Sequence, residues 1–237
     1  MKNHLKRIAA PKSWKIDRKY SKWILRPNQG SHCLDMGLAL GIILRDELHM
    51  APTMDAVKKA LKSNEVLVDG QRRKDHRHMV GLFDVITIPL VKKQYRLVFD
   101  SQGRLTIREI KASESSLKPC KIVGKSVLSG NKIQFHLHDG RNITSAEKAK
   151  VGDTFVISLP EGKVKEVLPL QGGVFVFLTR GKHRGDTGVL KEIKAAQAVY
   201  SRNNEDVETL KEYVFVLGTK KPVIELSDAQ IESKELP

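Results

Sequence analysis

Turn signals cut this chain into short pieces, and that limits its fold more than any other feature. From residue 69 onward the same punctuation recurs: Asp69 with Gly70, Asp100 through Gly103, Ser129 with Gly130, Asp139 with Gly140, Gly152 with Asp153, Glu161 with Gly162. Glycine reaches turn conformations closed to other residues, and Asp or Ser beside it favours the bend. Apolar runs lie between the turns, at 95–99, 105–110, 121–126, 133–137, 154–159 and 163–168. The first two alternate apolar and polar residues around their turn. Short runs with period-two alternation and regular turns predict strands, so residues 91–168 read as a small all-β domain.

The pattern continues from 174 to 217 around a glycine-rich loop, residues 179–190. Gly181, Gly185 and Gly188 shape the loop, and Arg180, Lys182, His183, Arg184 and Lys191 decorate it. A phosphate-binding loop does not fit. His183 follows Lys182 where such a loop needs Ser or Thr for magnesium, and the upstream glycine spacing is wrong.

Charge points to a partner. The chain carries 42 Lys+Arg against 27 Asp+Glu, a net +15. A surface this basic calls for a polyanion. The first thirty residues hold nine of the cations: Lys2, Lys6, Arg7, Lys12, Lys15, Arg18, Lys19, Lys22 and Arg26, with Asp17 the one acid. Pro11 and Pro27 interrupt the stretch, and it has too little apolar content to fold alone. It is expected to stay mobile until it meets RNA. Both tryptophans, Trp14 and Trp23, lie here with Tyr20 between them. Each tryptophan ring is open to two readings: packing against RNA, or docking the arm on the protein's own core. After Ser201 the balance turns acidic, with Arg202, Lys211, Lys220, Lys221 and Lys234 against eight Asp/Glu.

Residues 34–49 read as a helix with Leu34, Leu38, Ile42 and Leu48 on its apolar side. Thr53 then caps a second helix over 53–63. Met54, Val57, Ala60 and Leu61 make its apolar arc, and Lys58, Lys59 and Lys62 adjoin it. A strand at 65–68, the Asp69 and Gly70 turn, the basic run Arg72, Arg73, Lys74, His76, Arg77 and His78, and a strand at 82–89 complete the unit. Cations on the helix and on the hairpin beside it can line one groove. Arg45 and Asn64 join this candidate set, as do the loop cations of 180–184.

The stretch TMDAVKKALKSNEVLVDGQRRKDHRHMVGLFDVITI, residues 53–88, resembles the small RNA-binding domain shared by ribosomal proteins, tRNA synthetase appendages and RNA-modifying enzymes. In that domain the second helix and the following turn contact structured RNA. HLKRIAAPKSW (4–14) and YRLVFDSQGRLTIREI (95–110) resemble the matching segments of the archaeal and eukaryotic small-subunit ribosomal proteins called S-four-e. The loop TRGKHRGDTGVL (179–190) resembles a KOW motif on an SH3-like barrel. The chain is identified as a member of the S-four-e family, closer to its archaeal branch because the end of the chain is acidic. The resemblance implies a non-catalytic constituent of the small subunit that binds its 16S-type ribosomal RNA beside neighbouring small-subunit proteins, in the cytoplasm.

The expected fold class is α+β and multi-domain. It comprises a basic N-terminal arm (1–35), a small α/β RNA-binding domain of two helices plus short strands (36–90), a central small all-β domain (91–168), and a KOW/SH3-like barrel with a C-terminal tail (169–237). No cofactor, metal, membrane or homo-oligomer is expected. His76 with His78, and His136 with His138, are spaced i, i+2 but lack a third ligand. Cys33 and Cys120 form no Cys-x-x-Cys pair, which fits a reducing compartment. The longest apolar run, 36–44, is half a membrane span, and no signal peptide is expected. An RNA-modifying enzyme carrying the same small domain is the alternative. Pseudouridine synthases show Gly-Arg-Leu-Asp, whereas here Gly103, Arg104 and Leu105 precede Thr106, whose hydroxyl cannot replace the carboxylate. A KOW-type transcription factor would not need the cationic arm.

Overall fold

The computed structural model describes residues 4–202, 205–219 and 221–226. Lys2 of the arm, and Lys220, Asp228, Glu232, Lys234 and Glu235 of the acidic tail, lie outside them.

The arm is built into the protein. β1 (Leu5–Lys6) and β2 (Trp23–Ile24) pair antiparallel, with Leu5 opposite Ile24 and Lys6 opposite Trp23. Strand alternation turns Ile24 inward and Trp23 outward. Between the strands, Ala10 and Trp14 are buried. The Ser13 carbonyl accepts the Leu105 amide at 2.6 Å, as one rung of a sheet would. This corrects the expectation of an unfolded leader. The segment has too few apolar residues to fold alone, but it borrows a core from the hairpin at 95–110.

The helix expected over 34–49 forms only over residues 40–47. Leu34–Met36 forms a single 3-10 turn and β3 (Gly37–Ala39) a strand. α1 (Leu40–Ile42) then continues as a wider π-helical turn, Ile43–Glu47, in which the Leu48 amide donates to the Ile43 carbonyl at 2.9 Å. Residues 37–44 are all buried, so they have no polar face to set a helical period. Gly37 explains the strand: a Cβ there would lie 2.7 Å from the Val80 carbonyl oxygen.

α2 (Met54–Ser63) forms where expected, with the Thr53 hydroxyl accepting the Ala56 amide at 3.2 Å. Val57 and Leu61 face inward. β4 (Leu67–Val68) and β5 (Gln71–Arg72) close around Asp69 and Gly70, with φ of 52° and 76°. That double left-handed turn suits a two-residue hairpin. β6 (Met79–Gly81) pairs back with β3, and β7 (Val85–Ile88) follows. The single strands expected at 65–68 and 82–89 are thus shorter and differently divided.

β8 (Lys93–Phe99) and β9 (Leu105–Glu109) do not open a central domain as expected. They extend the first sheet, whose order is β5-β4-β7-β8-β9. After the short α3 (Ala112–Ser115), a second sheet contains β10 (Leu117–Val127), β11 (Ile133–Leu137), β12 (Asn142–Thr144), β13 (Thr154–Ser158) and β14 (Lys163–Leu168). Its order is β12-β11-β10-β13-β14. The third contains β15 (Phe175–Leu178), β16 (Thr187–Lys194), β17 (Gln197–Arg202), β18 (Glu205–Leu210) and β19 (Val214–Gly218), in the order β18-β17-β16-β15-β19. The first and third sheets share a core. Phe83 packs on Phe177 and Phe215, ring centroids 5.5 and 5.0 Å apart. Among the described residues, no helix is long and apolar enough to cross a membrane.

Candidate nucleic-acid interface

α2 fixes the first cations. Burying Val57 and Leu61 turns Lys58, Lys59 and Lys62 to solvent. Lys58 pairs with Asp55 at 3.0 Å. The adjoining hairpin is tied to the helix end, since Arg72 Nη2 donates to the Lys62 carbonyl at 3.4 Å. Asn64 caps that end, its amide on the Ala60 carbonyl at 2.8 Å. Arg73 is half-buried and donates to Gln71 Oε1 at 2.7 Å, while Lys74 is exposed.

Asp75 organises the next turn. Its carboxylate accepts the Arg77 amide at 2.8 Å and Asn28 Nδ2 at 2.6 Å. Arg77 Nε in turn donates to the Arg26 carbonyl at 3.1 Å. His76 and His78 lie on this turn, not on a strand, so they share no sheet face. Burial lowers the pKa of both below the ordinary imidazole value. They therefore add hydrogen-bonding groups, not charge, at neutral pH.

The arm presents Lys6, Lys12, Lys15 and Lys19 to solvent. Its arginines are partly structural. Arg18 Nη1 and Nη2 donate to the Ala10 and Pro11 carbonyls at 2.7 and 2.8 Å. Arg7 is buried, donates to Ser21 Oγ at 3.4 Å, and sits 5.5 Å from the centroid of the exposed Tyr20 ring. The two tryptophans divide. Trp14 is 2% exposed and donates from Nε1 to the Leu34 carbonyl at 3.1 Å, so no face remains for a base. Trp23 is 49% exposed. Arg7 and Trp14 thus anchor the arm. Arg45 is matched locally by a two-point bond to Asp46 at 2.6 and 2.8 Å.

The glycine-rich loop is seated on the first sheet. Gly185 has φ of 90°, and a Cβ there would lie 2.1 Å from the Asp100 carbonyl oxygen. The Arg184 guanidinium lies 5.2 Å from the Phe99 ring centroid and 3.4 Å from Asp35 Oδ2. Arg180 approaches Cys33 at 3.9 Å, Lys182 is exposed, and His183 lies 3.3 Å from Asp186. The arm therefore bridges two cation groups: Arg26 and Asn28 touch the 75–77 turn, and Cys33 and Asp35 touch this loop.

A buried charge cluster between the first two sheets was not foreseen. Lys118 Nζ lies 2.6 Å from Asp69, 2.6 Å from Asp84 and 3.0 Å from Asp139. Arg141 adds a 2.6 Å contact to Asp69. Burial opposes each charge. Lys118 and His32 nonetheless hold Asp84 well below the usual carboxylate range, and Lys118 holds Asp139 at about 2. For Asp69, burial and the neighbouring Asp84 prevail and raise its pKa. Burial also works against the Lys118 ammonium, but the surrounding carboxylates raise its pKa well above the ordinary lysine value. Cys120, His138 and Asp139 bring potential metal ligands within 4.8 Å of one another. The Lys118 ammonium already meets Asp139, and burial pushes the Cys120 thiol well up, so this donor set does not suit a cation. Ion pairs between a strand lysine and acids in turns so distant in sequence leave no local signal.

Two family profiles match the chain: the RS4NT (NUC023) domain over residues 1–35 and Ribosomal family S4e over residues 91–164. A relative named small ribosomal subunit protein eS4, from Methanocella arvoryzae, is 40% identical over 94% of this chain and 97% of its own. One of the same name from Methanocaldococcus jannaschii is 39% identical over 95% and 98%. The crystal structure of the 30S ribosomal protein S4e from Thermoplasma acidophilum superposes with a TM-score of 0.70 at 30% identity, covering 80% of this chain and 99% of that one. With sequence identity of this level running through nearly its whole length, the chain belongs to the S4e family of small ribosomal subunit proteins.

Proposed function

We propose that this chain is a structural, non-catalytic constituent of the small ribosomal subunit, in the cytoplasm, and that it binds small-subunit ribosomal RNA through three linked cation groups. These are the exposed lysines of the arm, the α2 lysines with the 72–77 turn, and the 180–184 loop. The observation that carries the reading is the arm's double attachment. Arg77 donates to the Arg26 carbonyl at 3.1 Å and Arg184 reaches Asp35 at 3.4 Å, so one segment holds both outlying groups. Phosphate contacts from such groups set position and affinity, and RNA shape sets specificity.

Within this reading the third sheet acts as a KOW-type SH3-like barrel, supported by the glycine loop whose Gly185 lets it seat closely on Asp100. Residues 36–90 act as the small RNA-binding domain, with α2 and the Asp69 and Gly70 hairpin presenting its cations. The chain acts as a single copy. The test is a salt series of binding to small-subunit ribosomal RNA, with co-sedimentation on 30S particles. Log affinity should fall with log salt by about 0.7–0.9 per phosphate neutralised. Salt-independent binding, or absence from the particles, overturns the reading.

A further inference from the structure

Trp23 stands out among the exposed side chains. A tryptophan is the side chain with most to gain from burial, and this chain shows how it buries one: Trp14 lies under the arm at 2% exposure with its indole N–H satisfied. Trp23 instead keeps 49% of its surface in solvent, on a backbone that is held firmly. Its own strand pairs with β1, the Arg7 amide donates to the Lys22 carbonyl at 3.0 Å, and Ser21 Oγ donates to the Trp23 carbonyl at 3.1 Å. Ile24 beside it is buried, so strand alternation obliges the indole to point outward.

Two lysines and a histidine border the ring. Lys22 Nζ lies 5.3 Å from the indole centroid, and Lys6 sits directly opposite Trp23 in the ladder. The His4 ring is tilted 48° at 5.5 Å. A plain apolar contact surface would not carry a lysine over the ring and a second one across the ladder. A phosphate-linked flat ligand matches both features, with its ring on the indole and its phosphate among the ammonium groups.

We infer that Trp23, with Lys6, Lys22 and His4, is a binding site for an unpaired nucleotide of RNA, stacked on the indole. The inference rests on the RNA-binding reading above and adds what that reading leaves open: the arm takes single-stranded RNA, whereas phosphate contact by the cations alone accepts any helix. Inside a duplex the bases are stacked on one another, so a duplex offers the indole a face only at its two ends.

The two tryptophans make the test direct, because Trp14 is shielded and Trp23 reports alone. The full chain is titrated with an oligouridylate of about eight nucleotides, and separately with a blunt RNA duplex, while tryptophan emission is followed. The oligouridylate should quench emission and the duplex should do so far less. Trp23→Leu should remove the quench and weaken oligouridylate binding about ten-fold. Trp23→Phe, which keeps a ring on the same hairpin, should retain most of the affinity and guards against a misfolded arm. Bound oligouridylate with unchanged emission, or Trp23→Leu binding as well as the parent, overturns the inference. In either case, salt-dependent binding of small-subunit RNA by the same preparation would leave the broader reading standing. Loss of that binding in the parent chain would instead remove the broader reading itself.

Discussion

The ammonium of Lys118 on β10 lies 2.6 Å from Asp84 Oδ1, a residue 34 positions earlier that sits just before β7 of the first sheet. The same ammonium meets Asp69 of the β4–β5 turn and Asp139 of the β11–β12 turn in the second sheet. Both sheets therefore present carboxylates to one buried cation. Such a hub fixes how the sheets meet, although its desolvation cost offsets much of the attraction. Removing the cation alone leaves the acids uncompensated. Lys118→Met should destabilise the protein by about 3–5 kcal/mol, measured by urea unfolding. A loss below about 1 kcal/mol would mean that water or rearranged Arg141 replaces the ammonium.

The neighbouring histidine gives the fold a pH dependence. Burial lowers the His138 pKa to about 4 from an ordinary 6.5. The folded state thus favours the neutral ring, and the unfolded chain binds its proton first. Stability from this group is complete above pH 6.5 and is lost as pH falls towards 4. Asp139 acts lower: with its folded pKa held at about 2 against an ordinary 3.8, its contribution is present above 3.8 and is lost as pH falls through 2. His138→Gln should flatten the loss of urea midpoint between about pH 6.5 and 4 while leaving the steeper acid limb. An unchanged slope in that variant would assign the window to other groups.

The arm is anchored by Trp14, and that anchoring can be measured. Trp14→Ala removes the ring under the arm and the bond to the Leu34 carbonyl, and should cost about 3–5 kcal/mol. Trypsin should then cut at Lys12 and Lys15 well before the rest of the chain. Equal protection of parent and variant would show that Ile24 and the β1–β2 ladder suffice without it.

What the sequence disclosed follows from the range of each interaction. Local features could be read directly: the Thr53 cap, the α2 lysines and the Asp69 and Gly70 turn depend on neighbours within a few positions. Trp14 could not be assigned, because its partner Leu34 lies 20 residues away and nothing near it marks the ring as buried. The strand at 37–39 is not legible, because the fully buried run 37–44 carries no period that would separate strand from helix. The 95–110 hairpin was recognised, but its sheet was not, since β7 and β8 pair across a turn at 89–92 that looked like a domain border. Lys118 looked like any strand lysine, because its acids stand 34 and 49 residues away. The exposure of Lys58, Lys59 and Lys62, and of the arm's Lys6, Lys12, Lys15 and Lys19, could be anticipated because a solvated cation needs no tertiary partner. The arginines Arg7, Arg18, Arg77 and Arg184 instead take tertiary contacts that no local pattern announces.

The α2 lysines separate electrostatic from structural roles most cleanly. Lys58, Lys59 and Lys62 are exposed, and the helix is held from its other side by Val57 and Leu61. Replacing all three by Glu should therefore leave helical circular dichroism and the unfolding midpoint nearly unchanged. Binding to small-subunit RNA should weaken, and the slope of log affinity against log salt should fall by about 2–3 if each lysine neutralises a phosphate. Lys58 is already paired with Asp55, so Lys58→Glu alone should have the smallest effect of the three single changes on binding. Its cost to the helix should also be small, since an exposed pair of this kind contributes little. If the triple variant binds with the parent's slope, the helix faces away from the RNA and the arm and loop carry the contact without it.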